Sequence, residues 1–293
     1  MIVDSHHHVW RVRDNLWLQG PMVPRIFGPY EPIRRDYLAD EFIADATGAG
    51  VTRSVYVQTN WPLERAVDEV RWVQEVHEES GWPHAIVGAA DLFSPDAPEV
   101  FAAQAAASPL MRGIRLQLHW HPEKRYRFAS APDRMHDPVL RRNLAQLAER
   151  GWVFELQVFS GQMADAARFV AGLPDVTFVL VHSGMLESAE ERHVAPWRDG
   201  MERLAELPNL VTKLTGQGTF VHRVDPELIR LVADACLEWF AADRCMWGSN
   251  FPVESLWTDY GSLMDAWQEA LSGRSEAVRA AVFGGTAERV YRL

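Results

Sequence analysis

RSVYVQ (53–58), LERAVDEVRWVQEVHEE (63–79) and AIVGAA (85–90) form the stretch whose reading decides the architecture of this chain. The two outer pieces are short, apolar and rich in β-branched residues, as expected of parallel strands covered by helices. The middle piece sets Leu63, Ala66, Val67, Val70, Val73 and Val76 on one side, the stripe of a helix packed against a sheet. Parallel strands need such a crossover helix between them.

The same unit recurs toward both ends. Six further strands are predicted: IVDSHHH (2–8), GIRLQL (113–118), WVFELQ (152–157), TFVLVH (177–182), LVTKL (210–214) and RCMWGS (244–249). Helical patterns lie between them at 36–49, 96–107, 137–150, 161–172, 196–206 and 225–242, with a closing pair at 258–272 and 275–291. Pro95, Pro138, Pro196 and Pro226 stand near predicted helix starts, where a missing N–H costs little. Eight such units predict an α/β fold, a (β/α)8 TIM barrel with its active site at the C-terminal ends of the strands.

No linker or composition shift divides residues 1–293, so one barrel domain is expected. The two longest non-periodic stretches, 11–35 and 119–136, each follow a strand end. Loops beyond about 12–15 residues in a compact domain usually serve function.

Composition excludes several classes of function. Lys and Arg number 29 against 40 Asp and Glu, a formal charge of -11, and the basic residues are scattered, which argues against nucleic-acid binding. No apolar run is long enough to span a membrane, and MIVDSHHHVW lacks the layout of a secretory leader. A cytoplasmic protein is therefore expected, with association into a homo-oligomer left open. Cys236 and Cys245 form no CxxC pair and read as buried, reduced thiols.

Chemistry gathers at the predicted strand ends. His6 and His8 are two apart and share one side of the first strand, as a ligand or catalytic pair would, and imidazole suits zinc. His182 closes the sixth strand in the matching position. Arg115, Gln117 and His119 share one alternation face, and Lys213 ends the seventh strand. Cations pointing into a barrel are costly unless they meet an anion. An anionic or polyhydroxylated small molecule is the natural counterpart, and pairing of Arg115 with Glu155 is the alternative. Gln58, at the second strand end, is placed to orient a carbonyl or hydroxyl.

DSHHHVW (4–10), RGIRLQ (112–117), VHSG (181–184), VTKLTG (211–216) and GSNFPVE (248–254), in this order, resemble the amidohydrolase superfamily. More narrowly, the set is similar to its amidohydrolase-2 type, in the branch of L-fuconolactonases, L-rhamnonolactonases and 2-pyrone-4,6-dicarboxylate lactonases. The resemblance runs through the closing FGGTAERVYRL (283–293). It implies a metal-dependent type of hydrolase in which His6, His8 and His182 hold a divalent metal, zinc foremost, with a metal-free acid/base site as the alternative. It also sets Asn250 on the eighth-strand aspartate that binds metal or serves as general base. An amide accepts no proton at neutral pH and is a poorer zinc ligand. Glu254, Asp4 or a histidine is then expected to act as the base.

The expected activity is hydrolysis of a sugar-acid or aromatic-catabolite lactone, with His182, Asn250 and Glu254 catalytic and Gln58, Arg115, Gln117, His119 and Lys213 binding the substrate. A zinc-dependent decarboxylase of an aromatic acid and a catalytically silenced, metabolite-binding barrel are the alternatives.

Overall fold

A computed structural model describes residues 1–293. The strands are β1 (Ile2–His7), β2 (Val51–Val57), β3 (Ala85–Gly88), β4 (Met111–Gln117), β5 (Val153–Gln157), β6 (Phe178–Leu180), β7 (Leu210–Leu214) and β8 (Cys245–Trp247). The helices are α1 (Leu16–Gln19), α2 (Ala39–Gly48), α3 (Ala66–Ser80), α4 (Ala97–Ala107), α5 (Pro138–Glu149), α6 (Met163–Ala171), α7 (Glu191–Ala205), α8 (Pro226–Phe240), α9 (Tyr260–Ala270), α10 (Glu276–Ala280) and α11 (Thr286–Tyr291). The strands pair in sequence order, every ladder parallel, as a (β/α)8 barrel requires.

The seam between β8 and β1 closes just beyond the strand ends. Asn250 N donates to the His6 carbonyl at 2.7 Å, and His8 N donates to the Phe251 carbonyl at 2.8 Å. The buried Asp4 carboxylate ties the same seam, accepting from Ser249 N at 2.9 Å, Ser249 Oγ at 2.6 Å and Tyr260 Oη at 2.8 Å.

Two apolar layers hold the barrel. Outside, helix faces pack on the strands in a cluster of 64 buried residues. Inside, small side chains such as Val3, Val55, Val87, Val153, Val179 and Val211 fill the lumen, and Ala287, Val290 and Tyr291 of α11 plug its N-terminal end. Local signals set the helix ends. The Asp137 side chain accepts from Val139 N ahead of Pro138 in α5, and α3 stops at Gly81 in the left-handed region at φ 79°.

Two helix expectations are corrected. Pro196 lies inside α7, which begins at Glu191 rather than 196. The predicted helix 275–291 is interrupted by a π-helical turn at Ala281–Gly285. There Gly284 approaches the Met1 carbonyl so closely that an added Cβ would lie 2.7 Å from it. No helix is long and apolar enough to cross a membrane.

Candidate active site

The three histidines do converge. His6 and His8 leave β1 on the same side with ring centroids 5.1 Å apart, and the His182 ring lies 4.9 Å from that of His6. His7 turns the other way and stacks on Phe42 of α2. The loop after β7 closes directly on His182: an added Cβ at Gly216, φ +73°, would meet His182 Nδ1 at 2.5 Å. His182 and Asn250 both occupy the left-handed region, at φ 54° and 60°. Non-glycine residues persist there only when their surroundings over-determine them.

Hydrogen bonds assign proton positions. His8 Nδ1 faces the Val57 carbonyl at 2.7 Å. A carbonyl only accepts, so Nδ1 carries the proton and Nε2 keeps its lone pair. His182 Nδ1 lies 2.6 Å from Thr215 Oγ1. His6 Nδ1 stands 3.4 Å from the Lys213 ammonium, which can only donate, so the proton of His6 belongs on Nε2, a buried atom without a partner.

Burial, assisted by neighbouring cations, keeps these rings neutral. The main cation is Lys213 for His6 and Arg115 for His8, His119 and His182. The pKa values of His8 and His119 fall to about 3.

Glu254 does not reach the cavity as a free base. It is buried behind Asn250, accepting from Asn250 Nδ2 at 3.3 Å and Trp257 Nε1 at 2.8 Å, and burial pushes its pKa up to about 8. At neutral pH it is mostly the protonated acid. Asp4, the other carboxylate expected as a base, is engaged in the barrel seam.

Beneath the imidazoles lies a closed polar floor. Lys213 Nζ donates to Glu155 Oε1 at 2.6 Å, Tyr291 Oη donates to the same oxygen at 2.6 Å, and both charged side chains have no solvent exposure. Lys213, expected at the substrate's anionic end, is thus paired below the cavity and does not line it. Glu155 pairs with Lys213 and not with Arg115, whose Nη2 donates to the Gln58 carbonyl at 2.6 Å.

Arg115 lines the cavity together with His8, Gln58, Gln117, His119, Gln157, His182 and Asn250. Gln58 Oε1 accepts from Asn60 N at 2.6 Å. The cavity encloses about 860 Å³ including its open mouth, enough for a small-molecule ligand.

Sequence reasoning missed several lining residues. Gln157 shares the alternation face of Glu155, and its buried Oε1 has no partner. Trp17, Arg25 and Phe27 come from the loop after β1; Arg125, Tyr126, Arg127 and Phe128 come from the loop after β4. Loop length marked these two segments without showing which side chains turn inward.

At the expected ion site the His8 and His182 rings lie 5.1 and 4.9 Å from that of His6. No three His, Cys, Asp or Glu side chains are arranged to hold a metal ion together. Asn250 supplies an amide where a carboxylate would complete the set, and the Lys213 ammonium lies against His6. As arranged, these residues do not fit a divalent ion.

The family model described as amidohydrolase matches residues 3–293. An uncharacterized protein of Sinorhizobium fredii is 31% identical over 100% of this chain and 98% of its own length. An L-fucono-1,5-lactonase of Burkholderia multivorans is 32% identical over 99% of this chain and 96% of its own. A crystal structure of an amidohydrolase from Burkholderia multivorans with bound zinc superposes with a TM-score of 0.84 at 28% identity, covering 100% of this chain and 99% of the other.

Proposed function

The chain belongs to the amidohydrolase family and is a hydrolytic enzyme, and from that premise we propose that it opens a lactone by adding water to the ring ester. The observation that carries the reading is His8, a neutral imidazole lining the cavity with Nδ1 bonded to a carbonyl and the lone pair on Nε2, next to Asn250. That is the state a general base needs.

In this reading His8 Nε2 takes a proton from water as the water oxygen attacks the lactone carbonyl. Arg115, a buried cation lining the same cavity, stabilises the charge that develops on the carbonyl oxygen. When the acyl–oxygen bond of the ring breaks, His8 returns the proton to the departing oxygen, leaving a hydroxyl and a carboxylic acid, which then releases its remaining proton to water as the carboxylate. His182 is oriented by Thr215, and Gln58, Gln117, His119, Gln157 and Asn250 hold the remaining polar groups of the substrate. Glu254 acts on Asn250 as a positioning residue.

A lactone is favoured over an amide on two grounds. The L-fucono-1,5-lactonase relative covers nearly the whole chain, and an ester carbonyl asks least of so weak a base. Zinc, expected at His6, His8 and His182, has no part in this reading.

The test is a panel of neutral and carboxylated lactones followed by mass spectrometry. Ring opening adds one water, and His8→Ala lowers kcat by about 10²–10⁴-fold. Release of carbon dioxide instead would identify a decarboxylase. Absence of turnover on every lactone, or full activity in His8→Ala, would overturn the proposal.

A further inference from the structure

In a chain of formal charge -11, the cavity lining includes Arg25, Arg115, Arg125 and Arg127 and no aspartate or glutamate. The four cations are not equivalent. Arg125 is paired with Glu123. Arg127 donates to the carbonyls of His121 and Pro122. Arg115 is bonded to the Gln58 carbonyl deep in the barrel. Arg25 has neither an ion-pair partner nor a hydrogen-bond acceptor, and its Nε is buried.

An uncompensated guanidinium is retained only if the fold holds it there, and this one lies among three aromatic rings. Its central carbon lies 5.0 Å from the Trp17 ring centroid, 5.5 Å from that of Tyr30 and 6.0 Å from that of Phe27. Trp17 is fixed in turn, donating from Nε1 to the Thr59 carbonyl at 2.9 Å. Arg34 ties the same loop through the Leu18 and Gly20 carbonyls, each at 2.7 Å. Farther along the same loop the His222 ring packs against Gly28, φ +72°, where an added Cβ would lie 2.9 Å from His222 Cε1. The aromatic rings brace the guanidinium while its donors meet no acceptor, which is the form of a preorganised carboxylate receptor.

The geometry points to a second recognition site at the mouth, in which Arg25 takes a carboxylate carried by the substrate away from the reacting ester. Arg127 adds positive charge to the same cavity. The site rests on the lactone reading only in naming the molecule that bears this carboxylate. Selectivity then follows from charge: an anionic lactone gains a fork-to-carboxylate contact that a neutral sugar lactone cannot make.

Calorimetry with glutarate as the probe tests the site without any turnover. The wild-type protein should bind glutarate and not its neutral diamide, and Arg25→Gln should weaken binding at least about tenfold, whereas Arg25→Lys, with charge but no fork, should fall between. Unaltered glutarate binding in Arg25→Gln, or none in the wild type, overturns the proposal. In a second arm, Arg25→Gln should lower the ratio of kcat/KM for a carboxylated lactone over a neutral one by about tenfold or more. An unchanged ratio in an active enzyme overturns the site and leaves the reaction standing. Arg25-dependent glutarate binding in a protein that opens no lactone keeps the site and removes the reaction.

Discussion

The floor of the barrel and its mouth both place cations in an acidic chain, and they treat them in opposite ways. On the floor, Lys213, Glu155 and Tyr291 form a closed set in which one carboxylate oxygen accepts two hydrogen bonds of 2.6 Å. At the mouth, Arg25 is braced by aromatic rings and meets no carboxylate. A buried charge is tolerated when its partner is built in, and a charge left open toward a cavity implies a partner that arrives from outside. The floor therefore reads as structure that shapes the site, and the mouth as recognition.

Breaking the floor should have the largest effect. Glu155→Gln leaves Lys213 as an unpaired buried cation and should lower unfolding free energy by about 3–5 kcal/mol, measured by denaturant titration. Adding Lys213→Met to it should recover much of that loss, and failure to recover would mean that the pair serves more than mutual compensation. Tyr291→Phe removes one hydrogen bond to a charged acceptor and should cost about 1.5–3 kcal/mol in the same assay. A smaller loss would show that α11 closes the barrel by apolar packing alone.

Glu254 gives a pH-dependent contrast. Its pKa rises from the ordinary 4.5 to about 8 on folding, so the folded state binds more protons between those values. Its contribution to stability is fully present below the ordinary carboxylate pKa and is lost as pH rises through about 8, at up to about 1.4 kcal/mol per pH unit. Melting curves of Glu254→Gln across this window should be flatter than those of the wild type; an equal slope would place the titration elsewhere.

Arg127→Gln, at the mouth, should change stability by no more than about 0.5 kcal/mol. A cost comparable to that on the floor would erase the distinction between the two regions. Smallest of all, exhaustive chelation should leave lactone turnover within about twofold, because no ion-holding donor set is arranged in the site. A loss restored by zinc would show that His6, His8 and His182 regroup around an ion.

The fold was legible because its signals are local. The two-residue alternation that put Arg115 and Gln117 on one face, and the 3.6-residue stripe of α3, are properties of short segments, and each of the eight strands falls in or beside its expected segment, although β6 stops at Leu180 and leaves His182, expected to close it, in the turn beyond. Pro196 was misleading because a proline one turn inside a helix and one at its start look alike in sequence. The positions of His6, His8 and His182 could be anticipated because barrel topology sends strand ends to one face.

The amino-acid sequence by itself determined the repeated strand and helix, the ring of strand ends and the residue types that face inward. Only the tertiary structure decided which charges pair. Lys213 took Glu155, leaving Arg115 to a carbonyl and Arg25 without a partner, and Glu254 came to rest behind Asn250 instead of beside the cavity. Periodicity is written along the chain, whereas ion pairing, proton position and pKa depend on distance and burial between residues far apart in it, so they exist only once the barrel has closed.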